Sequence, residues 1–86
     1  MQRLKLSRLI DIPVRHPDGQ ALGKVDEIDF DPVRGSVERI ILELDNDSKL
    51  RVAVPWSQLR YSSSRHCLEL EIGRDTLEAV AHRRGP

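Results

Sequence analysis

Apolar residues recur at every second position through much of this chain, and the places where that spacing fails are as informative as the places where it holds. Ile10, Ile12 and Val14 alternate with other residues, the period of a strand over 9–14. Pro13 has no amide to give to a ladder, which places it at a sheet edge or at the start of that strand. His16-Pro17-Asp18-Gly19 reads as a turn: proline presets φ, and Gly19 can take the positive φ that turns often require. Over 37–44, Ile40, Leu42 and Leu44 share one face, while Val37 and Ile41 give the other face apolar character. Leu50, Val52 and Val54 then alternate with Arg51 and Ala53, across a turn built from Asp45-Asn46-Asp47-Ser48. These two stretches make the clearest hairpin in the chain. A later strand over 67–72 turns Leu68, Leu70 and Ile72 inward and Glu69 and Glu71 outward.

The stretch 21–30 breaks the alternation. Leu22 to Val25 and Val25 to Ile28 are both steps of three. A helix from Lys24 to Phe30 would accommodate them, but Gly23 lies inside and Asp31-Pro32 follows at once. The expectation is a strand bent near Gly23 and bulged near Asp26-Glu27, with the helix as the competing reading. Bulges of this kind curve a sheet towards closure. Asp31-Pro32-Val33-Arg34-Gly35 then forms a hairpin loop. At the C-terminus the period changes. Asp75 with Glu78 three residues on has the spacing of a capping box, and Leu77, Val80 and Ala81 line one side. His82, Arg83 and Arg84 suit the negative end of a helix dipole and Gly85 suits the stop, which predicts one helix over 76–84.

Together these elements predict a single all-β domain over 1–86: a small, closed, antiparallel β-barrel of about five to six strands with one short C-terminal helix. Its expected core comprises Ile12, Val14, Leu22, Val25, Ile28, Phe30, Ile40, Leu42, Leu44, Leu50, Val52, Val54, Leu68, Leu70 and Ile72. A domain this small gains from oligomerisation, and the expected partner is a protein, with a homodimer the natural arrangement.

Composition narrows the function. Fourteen basic and fourteen acidic side chains cancel, so no net positive charge draws the chain to nucleic acid. One Phe, one Tyr and one Trp offer little for stacking bases. The charge is unevenly spread: residues 26–47 carry eight acids against Arg34 and Arg39, a balance of −6, and the two ends are basic. That segment could meet a cation or a basic partner, or it could be a solvated surface. The chain contains no apolar run of the roughly 20 residues a membrane helix needs, so direct membrane insertion is not expected and a cytoplasmic location is. Cys67 is the single cysteine, which leaves no internal disulfide and no multi-cysteine zinc site, and a packed or half-exposed thiol is the simple reading.

No catalytic constellation emerges. His16, His66 and His82 fall in a turn, at a strand edge and at a helix end, and His66 and Cys67, being adjacent, point to opposite faces. Asp26, Glu27, Asp29 and Asp31 fit a soluble face and a turn better than a paired-carboxylate site. Asp45-Asn46-Asp47 lacks the glycine and terminal glutamate of a calcium loop. There is no nucleophile-elbow serine and no phosphate-binding glycine loop. The expectation is a chain without catalytic, cofactor or metal residues, whose contacts with a partner run through Val37, Ile41, Ala53 and Trp56.

Several segments in order carry a resemblance: Asp18-Gly19, Leu22-Gly23-Lys24-Val25, Ile28-Asp29-Phe30-Asp31, the Gly35 turn, Ile40-Ile41-Leu42, and Val54-Pro55-Trp56-Ser57-Gln58-Leu59. Over residues 8–82 the chain resembles the PRC-barrel family, which includes the cytoplasmic domain of the photosynthetic reaction-centre H subunit and the C-terminal domain of a ribosome maturation factor. Gly19, Gly23, Gly35, Pro55 and Trp56 are the structural positions of that pattern. Pro55 would end a strand, and Trp56 would cap one barrel mouth. One position departs: many members have glycine where this chain has Asp11, so the backbone path of the first strand is the point to check. The resemblance implies an interaction module that docks on a protein, with ribosomal or membrane-complex proteins, or photosynthetic and redox electron-transfer complexes, as alternative settings.

Overall fold

The computed structural model describes residues 8–45 and 50–83. Seven strands form one curled sheet: β1 (Pro13–Arg15), β2 (Ala21–Asp31), β3 (Ser36–Leu44), β4 (Leu50–Pro55), β5 (Leu59–Ser62), β6 (Cys67–Leu70) and β7 (His82–Arg83). A single helix, α1 (Arg74–Val80), separates the last two. The spatial order is β5-β6-β1-β2-β3-β4-β7.

Two features of the expected barrel are corrected. The sheet is mixed, because β1 runs parallel to β6, pairing Val14 with Leu68 and Arg15 with Glu69. It is also open: among the described residues β5 and β7 lie at the two ends of the order and do not pair with each other, so the fold is a half-barrel and not a closed antiparallel barrel. Alternation along a strand says which face a residue takes but not which strand lies beside it, so neither feature shows in the periodicity. The chain passes from β4 to β5 through a single 3-10 turn, Trp56–Gln58. β5, at one end of the order, and β4, next to the other end, are thus joined by three residues, which obliges the sheet to curl and brings those two strands together at that corner. Away from it, α1 packs on β4 and places Leu77 in the core.

The curl is built into β2. Both steps of three coincide with register shifts: Leu22 is the extra residue against β1, and Asp26 the extra residue against β3. A third shift puts Glu38 of β3 opposite no partner, between the pairs Asp29–Arg39 and Phe30–Val37. Each extra residue bends its strand and increases the local twist, so the bulged-strand reading holds and the helical one fails. Gly23 marks the tightest point. A Cβ there would lie 2.0 Å from the carbonyl oxygen of Glu43, so only glycine lets β2 and β3 approach this closely. Beyond the bulges, β3 and β4 pair without interruption from Arg39–Pro55 to Glu43–Arg51.

The core holds ten of the fifteen expected residues fully buried, including Val14, Leu22, Val25, Ile40, Leu42 and Leu68. Ile12, Ile28, Leu50 and Ile72 pack at its rim. Phe30 does not belong to it and is 45% exposed, because it lies past the Glu38 shift where β2 runs out towards its hairpin. Leu9, Cys67 and Leu77 complete the buried set. Cys67 is a free thiol and takes the packed of its two expected settings, and its neighbour His66 is exposed.

The termini differ most from expectation. The first strand is shorter than 9–14: residues 9–11 turn, and Asp11 adopts φ +66°. Its amide still donates to Val25 O at 2.8 Å. The left-handed region is where glycine rests without strain and where Asp is among the better-tolerated alternatives, which suits the position where the resemblance leads one to expect glycine. Pro13 opens β1, as its missing amide requires. The helix runs Arg74–Val80, with Gly73 and not Asp75 as N-cap and no side-chain cap. His82 and Arg83 are not helix-end cations but form β7 against Arg51 and Leu50. Leu77 is buried and Ala81, just past the helix, packs partly buried against the core, whereas Val80 is 57% exposed, so within α1 the apolar stripe meets the core through Leu77. The Arg74 guanidinium ties the helix to β2 by donating to Ala21 O. Asn46 to Ser48, Arg84 and Gly85 lie outside the described residues.

The turns follow their residues. Gly19 takes φ +100° and Gly35 +69°. In the first turn the Asp18 carboxylate accepts the Gln20 amide at 2.8 Å, and this bond holds its pKa below the ordinary carboxylate value.

Candidate functional site

The outward surface of β3 and β4 divides into two zones. Strand pairing places Glu43 opposite Arg51 at one end, Ile41 opposite Ala53 in the middle, and Arg39 opposite Pro55 at the other end. Directly paired residues share a sheet face, so each pair presents one patch.

At the first end the patch is ionic. Arg51 is only 13% exposed and reaches Asp26 and Glu43, each at 3.0 Å, while Lys24 lies 3.5 Å from Glu43 and 3.6 Å from Asp11. The bulge that makes Asp26 an extra residue in β2 brings its carboxylate within reach of Arg51, two strands away. Asp29 accepts from Arg39 Nε at 2.8 Å. Asp31 is occupied by its own loop, accepting the amides of Val33 at 2.9 Å and Arg34 at 3.3 Å. Asp29 and Asp31 therefore serve different partners. Of the eight acids in residues 26–47, Asp29, Asp31 and Glu38 lie beside Arg34 or Arg39 of the same segment, and Asp26 and Glu43 pair with Lys24 and Arg51 from outside it. Among the described residues, no group of three or more His, Cys, Asp or Glu side chains is arranged to hold a metal ion, and no helix is long and apolar enough to cross a membrane.

At the other end the patch is a groove of about 610 Å³ with Val37, Ala53, Pro55 and Trp56 among its walls and Arg34 and Arg39 at its rim. Three of the four residues expected to contact a partner thus converge. The fourth, Ile41, is not part of the groove wall but pairs with Ala53 in the next row. Trp56 sits in the 3-10 turn and packs against the core from the rim, half-buried. Pro55 ends β4 and adds a rigid apolar ring to the wall. The contribution of Arg34 and Arg39 is not legible in the sequence, since it depends on the hairpin loop and the start of β3 coming beside the end of β4. A second, more polar cavity of about 390 Å³ lies between β5, β6 and the first turn, with Pro17, Arg60, Glu69 and Glu71 among its walls.

A family model for the PRC-barrel domain matches residues 1–81. The chain belongs to the PRC-barrel domain family. The PRC-barrel segments read along the chain fall on the features that shape it: Asp18-Gly19 on the first turn, Leu22 to Val25 on the doubly bulged β2, and Val54 to Leu59 on the crossing from β4 to β5. The same crossing supplies Pro55 and Trp56 to the groove, so in this PRC barrel the peptide stretch that curls the sheet also builds its apolar surface. No curated protein matches the chain.

Proposed function

We propose that this PRC barrel is a non-catalytic protein-interaction module of the cytoplasm that docks through the outer face of β3 and β4, with the groove at Val37, Ala53 and Trp56 as its centre. The observation carrying this reading is the convergence of those three side chains on one groove, beside a row, Ile41 and Ala53, that continues the apolar character along the strand pair. Protein interfaces have an apolar centre with aromatic anchors and a polar rim, and here Trp56 is the anchor and Arg34 and Arg39 are the rim. The ionic zone at Arg51 supports the division of labour. Its carboxylates and cations are paired with each other, so that end of the face stiffens the sheet and leaves contact to the other end.

The test is differential capture from cell extract. Wild-type bait and the Ala53→Lys and Ile41→Glu variants are compared with a Glu71→Lys variant in the polar cavity. Both positions on the β3–β4 face should lose the captured protein and Glu71→Lys should keep it. An identical captured set for all four baits refutes docking through this face.

A further inference from the structure

We infer that the groove receives the β2–β3 hairpin tip of a second copy of this chain, each copy giving its tip to the other in a twofold-symmetric pair. The inference rests on the reading of the groove as a docking surface and names its occupant. Val33, at the tip, is 94% exposed, the most exposed large apolar residue described. Single exposed apolar residues are common, but this one is held out by a braced loop. The Asp31 carboxylate accepts the Val33 and Arg34 amides, the Asp31 carbonyl accepts the Gly35 amide at 2.8 Å, and Gly35 turns the chain at positive φ. A tip ordered in advance loses little conformational freedom on docking.

The tip and the groove are neighbours on one end of the molecule, since Arg34 belongs to the tip and also lines the groove. A twofold contact needs one self-complementary patch, so that each partner offers what the other receives. A donor tip adjacent to its own acceptor groove meets that condition, and an axis between them makes both contacts at once. The charges match as well. At the tip Arg34 is 78% exposed at the side chain and 3.9 Å from Asp31, a loose pairing, and at the groove Arg39 lies 3.7 Å from Glu38, so tip and groove each carry one cation and one anion able to exchange partners across the axis. Phe30, at 45% exposure, would add its ring beside the inserted valine.

Sedimentation of the wild-type chain should show a dimer, and Val33→Asp or Ala53→Lys alone should weaken it at least about tenfold, since each substitution acts twice in a twofold contact. The decisive experiment mixes the two variants. The acid placed at the tip of one meets the base placed in the groove of the other, and the remaining tip and groove are native, so the mixture should dimerise where neither variant does alone. A wild-type chain that stays monomeric, a dimer indifferent to Val33→Asp, or a mixture that stays monomeric each overturns the tip-in-groove contact. None of these results touches the capture experiment above, in which the groove could still bind a different protein. Both positions are exposed, and circular dichroism of each variant confirms that a lost dimer is not a lost fold.

Discussion

The paired strands β3 and β4 and the two terminal pieces, 9–15 and 74–83, are held by different physics. Along β3 and β4 every inward position is set by the residue two before it, and five consecutive pairs match without a shift. The terminal pieces have no such internal rule. Residues 9–11 turn where alternation asks for a strand, and α1 has one buried residue in seven. They are placed by what they touch: Asp11 by Val25, Arg74 by Ala21, Leu77 by the core, and His82 by the edge of β4. A central ladder should therefore be sensitive to changes in backbone approach, and a terminal piece to the loss of single anchors.

Gly23→Ala should do the greatest damage. The new methyl would lie 2.0 Å from the Glu43 carbonyl oxygen and 3.0 Å from Leu42 Cδ1. A backbone atom cannot swing aside as a side chain can, so β2 must lift from β3 or break its register. The expected loss is about 3 kcal/mol or more, read as a lower urea midpoint. Gly73→Ala, where a Cβ meets nothing within 4 Å, should cost less than about 1 kcal/mol. Equal losses at the two glycines would mean that the close approach of the strands is not what Gly23 provides, since the entropy lost from the unfolded chain would by itself stabilise both variants.

The terminal anchor comes next. Leu77→Ala should cost about 2–3 kcal/mol, because it removes a fully buried side chain and leaves a void under α1. Val80→Ala, one turn later on the same expected stripe but 57% exposed, should change stability by no more than about 0.5 kcal/mol. Thermal melts of the two variants separate a helix pinned at one point from one packed along its length. Comparable losses would show that the stripe is covered in solution, as it would be if α1 met a partner.

This contrast also explains what could be read from the residues alone. The hairpin of β3 and β4, the bend at Gly23 and the bulge at Asp26 were legible because each leaves a local trace, alternation or a step of three. The groove was legible in part for the same reason: Val37, Ala53 and Trp56 stand out as apolar residues on outward or strand-ending positions. The parallel pairing of β1 with β6, the open edge between β5 and β7, and the replacement of the helix end by β7 were not. Each depends on which distant strand comes alongside, and no spacing within fifteen residues encodes that. Phe30 fails for a subtler reason. Its own strand continues regularly from Ile28, and the residue that takes it out of the core is Glu38 of the partner strand, which has no counterpart.

Asp11 gives the smallest expected effect and the sharpest test of how a terminal piece is placed. Its φ of +66° belongs to the region where a Cβ meets the carbonyl oxygen, at roughly 1–2 kcal/mol for an ordinary residue and less for aspartate. Its carboxylate also lies 3.6 Å from Lys24 Nζ, but both groups are well exposed, and such pairs contribute little. If conformation decides, Asp11→Gly should leave the melting temperature unchanged or raise it, and Asp11→Val should cost about 1–2 kcal/mol. If the ion pair decides, both substitutions remove it and both should lose the same small amount, an amount that salt would abolish in the wild type. Matching losses for glycine and valine would therefore mean that the entry into β1 is held by charge, and that the left-handed turn before Ile12 is a consequence of that pairing and not its cause.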